Sequence, residues 1–179
     1  MVEPLPPDPE HLFQQADRLA IPLSSETEPR QTDLRRAISA AYYGLFHFAL
    51  AAAADMFVGR DSADYVAAYR SVSHDWLRSL CDQLQRKRLA KVPPHVPGAA
   101  FFGDIVKFAT SVAELQDLRH RADYDPSFSI TADEVKIRIA EARRALELFR
   151  RGEEKQSAAF LALLLFNIRE TVPARAPSR

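Results

Sequence analysis

The sequence predicts an all-α protein, an up-and-down helical bundle, on three observations. Residues Ala37 to Ala54 carry no formal charge and no proline, and they are mostly Ala, Leu and Phe, which favour or tolerate helix. A helix that is apolar nearly all round must be covered on most sides, so the other helices are expected to pack around this one. Elsewhere, apolar residues recur at spacings of three and four. No segment alternates with period two, and hairpin dipeptides of the Asn-Gly type are absent.

Residues 1–8 are Pro-rich and are expected to be a flexible N-terminus. Asp8-Pro9 starts a first helix, with Asp as N-cap and Pro at the first helical position. Leu12, Phe13, Ala16, Leu19 and Ala20 follow at helical spacing, and Pro22 with the polar run Ser24–Glu28 ends the helix. Pro29 suits the first turn of the central helix, which is expected to reach about Val58 and stop at Gly59. Asp61 or Ser62 can cap a short helix through Tyr69. Ser71 or Ser73 can cap the next one, whose apolar stripe is Trp76, Leu77, Leu80, Cys81 and Leu84.

That helix ends in Arg86, Lys87, Arg88 and Lys91, cations suited to the negative end of a helix dipole. Pro93, Pro94, Pro97 and Gly98 make a stiff loop. From Phe101 a fifth helix places Ile105, Phe108, Val112, Leu115, Arg119 and Ala122 in one register, and Asp125-Pro126-Ser127 ends it. Thr131-Ala-Asp-Glu134 is a capping-box pattern opening a sixth helix with Val135, Ile139, Ala142, Leu146 and Phe149 on one face. Gly152 breaks it. The bundle thus spans residues 9–151, an additional C-terminal helix falls within 153–170, and 171–179 is a frayed tail.

Lys plus Arg number 24 and Asp plus Glu number 24, so only local patches can argue for a nucleic-acid partner. The single cysteine, Cys81, excludes an intramolecular disulfide and falls among leucines as a buried thiol. The N-terminus lacks the basic-then-apolar order of a signal peptide, and a cytoplasmic protein is expected. Ala37–Ala54 is near the lower length limit for a membrane span, but Ser39, Tyr42, Tyr43 and His47 interrupt it; a buried central helix with no membrane partner is expected. The five histidines fall on different elements without ligand spacing, so no metal site is expected. Gly-rich phosphate loops and Gly-x-Ser-x-Gly elbows are absent, and no cofactor is expected.

Two constellations remain. Ser39, Tyr43 and His47 are spaced by four and share a stripe of the central helix, with Arg36 one turn earlier. They either satisfy buried polar groups across the bundle or form the polar wall of a pocket. The second is Leu118-Arg119-His120-Arg121-Ala122-Asp123-Tyr124. Arg119 stands in register with apolar residues, and a guanidinium cannot shed its charge, so it must be paired or line a cleft. Asp123 lies one turn on. The pair is either a salt bridge closing the helix end or part of a cleft presenting Arg119, His120, Asp123 and Tyr124 to an anion such as phosphate. Arg86, Lys87 and Arg88 are candidate RNA-phosphate contacts, or solvated ends of a helix.

Ser39-Ala-Ala-Tyr42-Tyr43-Gly-Leu-Phe46-His47 resembles the Ser-x-Ala-Tyr-Tyr-x-x-Phe-His signature of HEPN-type helical domains. Leu118-Arg119-x-x-Ala122-Asp123-Tyr124 resembles their second signature, in the expected order and on a matching element. The resemblance covers roughly residues 10–150. It implies a bundle that dimerises with both signatures facing a shared cleft. It further implies a toxin–antitoxin or phage-defence role, with a nucleotidyltransferase antitoxin or a defence effector as partner. Many such proteins are metal-independent endoribonucleases that use an Arg, then four to six intervening residues, then a His. The Arg carries over onto Arg119. No His follows at that spacing, and Asp123 with Tyr124 occupies the place. His120 and His47 are then the candidates for proton transfer, beside Tyr124. Arg88 and His95 have the literal spacing but straddle Pro93-Pro94, so they read as chance.

Two functions follow as expectations. One is an RNA- or nucleotide-phosphate-binding homodimer, catalytic through Arg119, His120 and His47 if it is a nuclease. The other is a non-catalytic adaptor of the same fold that docks a partner through its dimer face or its last helix, where the apolar run Phe160–Phe166 either forms an interaction surface or, the favoured alternative, packs back onto its own bundle.

Overall fold

The uncharged run becomes the middle of α2, Gln31–Phe57. Ala37, Ile38, Ala41, Tyr42, Leu45, Ala49 and Ala53 retain no exposed surface there. Around α2 pack α1 (Pro9–Leu19), α5 (Asp104–Tyr124), α6 (Ala132–Arg151) and α7 (Glu154–Phe166). The short α3 (Tyr65–Arg70) folds back on α2, and α4 (His74–Gln85) lies against α5 and α7. The structure is a computed structural model that describes residues 6–23, 27–86 and 101–166 of the chain. Among the described residues all regular structure is helical, as the periodicity requires. α2 is long and apolar enough to cross a membrane by length and composition, and 72% of its most apolar window is buried inside the bundle.

The helix starts follow their side chains. Asp8 accepts from the Glu10 N–H, Ser73 from the Trp76 N–H, and Thr131 with Glu134 forms the full capping box. Gly59 stops α2 with φ +83°, and its N–H reaches the Ala54 carbonyl at 3.0 Å. Other boundaries move. Pro29 stays outside α2, whose N-cap is Arg30. The short α3 begins after Asp64 with no side-chain cap; Ser62 instead accepts from the Asp64 N–H in the preceding turn. α5 opens at Asp104 behind Gly103 (φ +63°), leaving Phe101 and Phe102 before it. The expected stiff loop at 93–98, the basic residues Lys87, Arg88 and Lys91, and the tail 171–179 lie outside the described residues.

α7 is no appendage. Phe160, Leu161, Leu163 and Leu164 are buried, and Phe160 joins Phe108 and Phe149 in an edge-to-face cluster. The Trp76 indole N–H donates to the Leu164 carbonyl at 2.9 Å and ties α7 to α4. Of the two roles open to the run Phe160–Phe166, packing back onto its own bundle is the one the burial bears out, and Phe166 is its exposed member.

α2 and α5 run antiparallel in a register fixed by polar contacts. Ser39 meets Asp123 and Tyr43 meets Arg119. Further on, the Arg35 guanidinium donates to the carbonyls of Ala122, Asp125, Pro126 and Phe128, which satisfies the end of α5 and the turn after it. Gln31 then makes two hydrogen bonds with the Ile130 backbone, at 2.8 and 3.2 Å. One face of α2 thus holds the whole passage from α5 to α6 in place.

Gly44 in the middle of α2 runs against helix propensity, and Phe13 of α1 explains it: a Cβ at Gly44 would lie 2.5 Å from the buried Phe13 ring. Gly44→Ala is expected to lower stability in urea unfolding by about 1–3 kcal/mol through overpacking, although alanine is worth about 1 kcal/mol more than glycine in an open helix. Adding Phe13→Leu should recover part of that loss.

Candidate functional site

The site is built where α2 and α5 face each other. Four-residue spacing puts Ser39 and Tyr43 on one stripe of α2, and the same spacing puts Arg119 and Asp123 on one stripe of α5. The Ser39 hydroxyl donates to Asp123 Oδ1 at 2.9 Å. Asp123 Oδ2 sits 2.8 Å from Arg119 Nε, an ion-pair distance without the alignment of a hydrogen bond. Arg119 Nη2 donates to the Tyr43 hydroxyl at 3.1 Å. The guanidinium also lies 5.6 Å from the centre of the Tyr43 ring and 5.8 Å from that of Tyr124. The Arg119 and Asp123 side chains are only 19% and 16% exposed, so solvent screens the pair incompletely. The pair is a salt bridge, and it lines a cleft.

Two clefts adjoin at Arg119 and Tyr124. One, of about 490 Å³, is walled by Thr32, Arg35 and Arg36 of α2 and by Arg119, Asp123 and Tyr124 of α5. The other, of about 480 Å³, is walled by the start of α4, including His74 and Asp75, and by Gln116, Asp117, Arg119 and His120 of α5. Both volumes suit a ligand of nucleotide size. Tyr124 stands between them, 65% exposed, with the His120 ring 5.0 Å away.

The structure brings together Ser39, Tyr43, Arg119, His120, Asp123 and Tyr124. It does not bring His47 to either cleft. Four residues of helix advance about 6 Å, and that step carries His47 past Arg119. There it stacks on Tyr43, with centroids 5.7 Å apart, and pairs through Nδ1 with the Tyr69 hydroxyl of α3 at 2.5 Å. Arg86 caps the far end of α4 and lines a separate surface groove with Asp82 and Arg78, so it is no part of the Arg119 site. Its companions Lys87 and Arg88 lie outside the described residues. No metal-holding group of His, Cys, Asp or Glu occurs among the described residues, and Cys81 is buried.

Sequence reasoning missed His74. Its ring is clamped between elements: stacked on Phe46 at 3.9 Å, edge-on to Tyr43 at 5.7 Å, and bonded through Nδ1 to the Tyr42 hydroxyl at 2.8 Å. The only local signal was its place directly after the Ser73 cap. Gln116 was missed as well; its amide donates to the His74 carbonyl at 3.2 Å, while its own Oε1 is buried with no partner among the described residues. Burial, then the Arg119 charge, holds the His74 pKa below the ordinary histidine value, with Asp75 opposing. Burial, then His74, does the same to His47.

No protein-family model, curated protein or solved structure matches the chain.

Because both imidazoles resist protonation in the folded state, the unfolded chain binds more protons below the ordinary histidine pKa of 6.5. The stabilising term is fully present above that value and is lost as pH falls beneath it. Urea midpoints are expected to drop between pH 7 and about 5.5, and His47→Gln with His74→Gln should flatten that drop.

Proposed function

We propose that this chain is a HEPN-like component of a toxin–antitoxin or phage-defence module, acting in the cytoplasm as a homodimer. In this reading the arginine-walled cleft holds the phosphate of RNA or of a nucleotide. A nucleotidyltransferase antitoxin or a defence effector is its protein partner. The observation that carries the ligand class is the charge of that cleft: Arg35, Arg36 and Arg119 face Asp123 as the only carboxylate in its wall. Arg35 spends its N–H groups on neutral carbonyls, and the carboxylate that feels its charge, Asp125, is outside the cleft wall. Three guanidiniums against one carboxylate leave a net positive groove, and guanidinium forks suit phosphate oxygens. The exposed Tyr124 ring beside it offers a face on which a base can stack.

Binding is favoured over cleavage. Asp123 with Tyr124 occupies the part of α5 where the resemblance leads one to look for a histidine, and both oxygens of Asp123 are engaged, by Ser39 and by Arg119. If the chain does cleave RNA, His120 is the exposed imidazole at the cleft and Arg119 the cation.

Fluorescence anisotropy with a labelled single-stranded RNA at low salt tests this reading. Arg36→Ala, on an exposed side chain with no structural partner to lose, and Arg119→Lys, which keeps the charge but not the fork, are each expected to weaken binding by about 10- to 100-fold. Wild-type affinity in both variants, or no binding by the native protein, overturns it. Gel analysis of the same mixtures reads cleavage separately.

A further inference from the structure

The two clefts that meet at Tyr124 differ in charge, and the difference assigns them different parts of one ligand. The arginine-walled cleft is net positive, as above. Across Tyr124, the wall formed by α4 and α5 carries Asp75 and Asp117 against Arg119, with His74 and His120 as the imidazoles. Asp117 is paired with Arg78 at 2.8 Å and Arg119 with Asp123, which leaves Asp75 uncompensated. A phosphate gains nothing there. A neutral ring bearing hydrogen-bond donors and acceptors does.

The Tyr42–His74 contact fixes what this second cleft offers. Tyr42 has no exposed surface, and burial pushes its phenol well above the usual tyrosine range, so the hydroxyl keeps its proton. The one acceptor placed for that proton is His74 Nδ1, 2.8 Å away. A neutral imidazole carries one N–H, so with Nδ1 accepting, the hydrogen must sit on Nε2. Protonating His74 would put a hydrogen on Nδ1 as well. The buried phenol would then lose its acceptor, a cost added to that of a second cation beside Arg119. Of the groups that act on the ring, Arg119 from α5 disfavours a further positive charge, His47 from α2 is coupled to it in the same sense, and Asp75 opposes them; His120 lines the same cleft. Asp117 is already spent on Arg78. No described residue accepts from Nε2.

We propose that His74, locked by Tyr42 as its neutral Nε2–H tautomer, is a binding residue that donates to an acceptor atom of a nucleobase seated between α4 and α5. The base stacks on Tyr124 while its phosphate occupies the arginine cleft. This rests on the phosphate-binding reading and adds a base to it. His74 is not a general base here, because the nitrogen not bonded to Tyr42 already holds the proton.

Two measurements test the assignment. Imidazole nitrogen shifts of the free protein by NMR should show Nε2 protonated and Nδ1 bare at pH 7, and Tyr42→Phe should release the lock and mix the tautomers. The opposite tautomer overturns the proposal. Calorimetric titration of the four nucleoside 5′-monophosphates against ribose 5-phosphate supplies the second. At least one nucleotide should bind about tenfold or more tighter than the bare sugar phosphate, the size expected of a stacked base. His74→Ala should abolish that gain, whereas His74→Gln, whose amide N–H falls near the Nε2 position, should keep part of it. Arg36→Ala should weaken all five ligands alike. Equal binding of ribose 5-phosphate and every nucleotide overturns the base cleft and leaves the phosphate reading standing. Binding of none overturns both.

Discussion

A single charge that cannot be neutralised, carried by Arg119 in a register otherwise filled by Val112, Leu115 and Ala122, dictates how α2 and α5 meet. Guanidinium desolvation is costly unless partners stand close by, and removing one partner of a fully buried pair costs about 3–5 kcal/mol. Here the ions are 16–19% exposed, so that figure is an upper bound reduced by screening. α2 answers with Ser39 and Tyr43 one turn apart, opposite Asp123 and Arg119 one turn apart. A slip of either helix by a turn would part Asp123 from Ser39 and set Arg119 opposite Ser39 or His47 instead of Tyr43. The polar contacts therefore select the register that the apolar contacts alone would leave degenerate.

The same register explains why the clefts open where they do. Arg35, one turn before Ser39, reaches four carbonyls around the end of α5. Ala122 is among the orphan carbonyls every helix C-terminus leaves, and the other three belong to the turn that follows. With them satisfied, α5 ends at Tyr124 and the chain turns at once through Asp125–Ser127, where the Asp125 side chain accepts from the Ser127 N–H and hydroxyl. Tyr124 is thus the last residue of a helix that has just cleared the bundle, which is why its ring stands out between two hollows.

Local signals were legible and long-range ones were not. The caps at Asp8, Ser73 and Thr131, the stop at Gly59 and the apolar faces depend on residues within a turn of one another, and the sequence displays them directly. The Arg119–Asp123 pair was readable for the same reason. His74, Arg35 and Gln31 were not, since each acts on a partner more than thirty residues away, and helical periodicity says nothing about which turn of one helix meets which turn of another. His47 shows the converse error. Sharing a stripe with Ser39 and Tyr43 was taken to mean sharing their cleft. A stripe runs along the helix, however, and each turn meets a different neighbour, so His47 meets Tyr69. Gly44 was equally silent: nothing near it in sequence announces the Phe13 ring.

The departure at Asp123 then acquires a physical meaning. A histidine at that point of α5 would offer a titratable nitrogen to the cleft. Asp123 receives Ser39 on one oxygen and Arg119 on the other, so both oxygens brace the contact between α2 and α5. His74 is tied by Tyr42 into a donor, and His47 is tied to Tyr69 behind the Tyr43 ring. Of the three imidazoles nearest the Arg119 site, His120 is the exposed one, and it lines the second cleft. Acid–base cleavage of a phosphodiester needs a proton removed from the attacking oxygen and another given to the leaving one. A protomer that presents one exposed imidazole there lacks a second such group of its own to pair with it, which is why the proposed reading is one of binding.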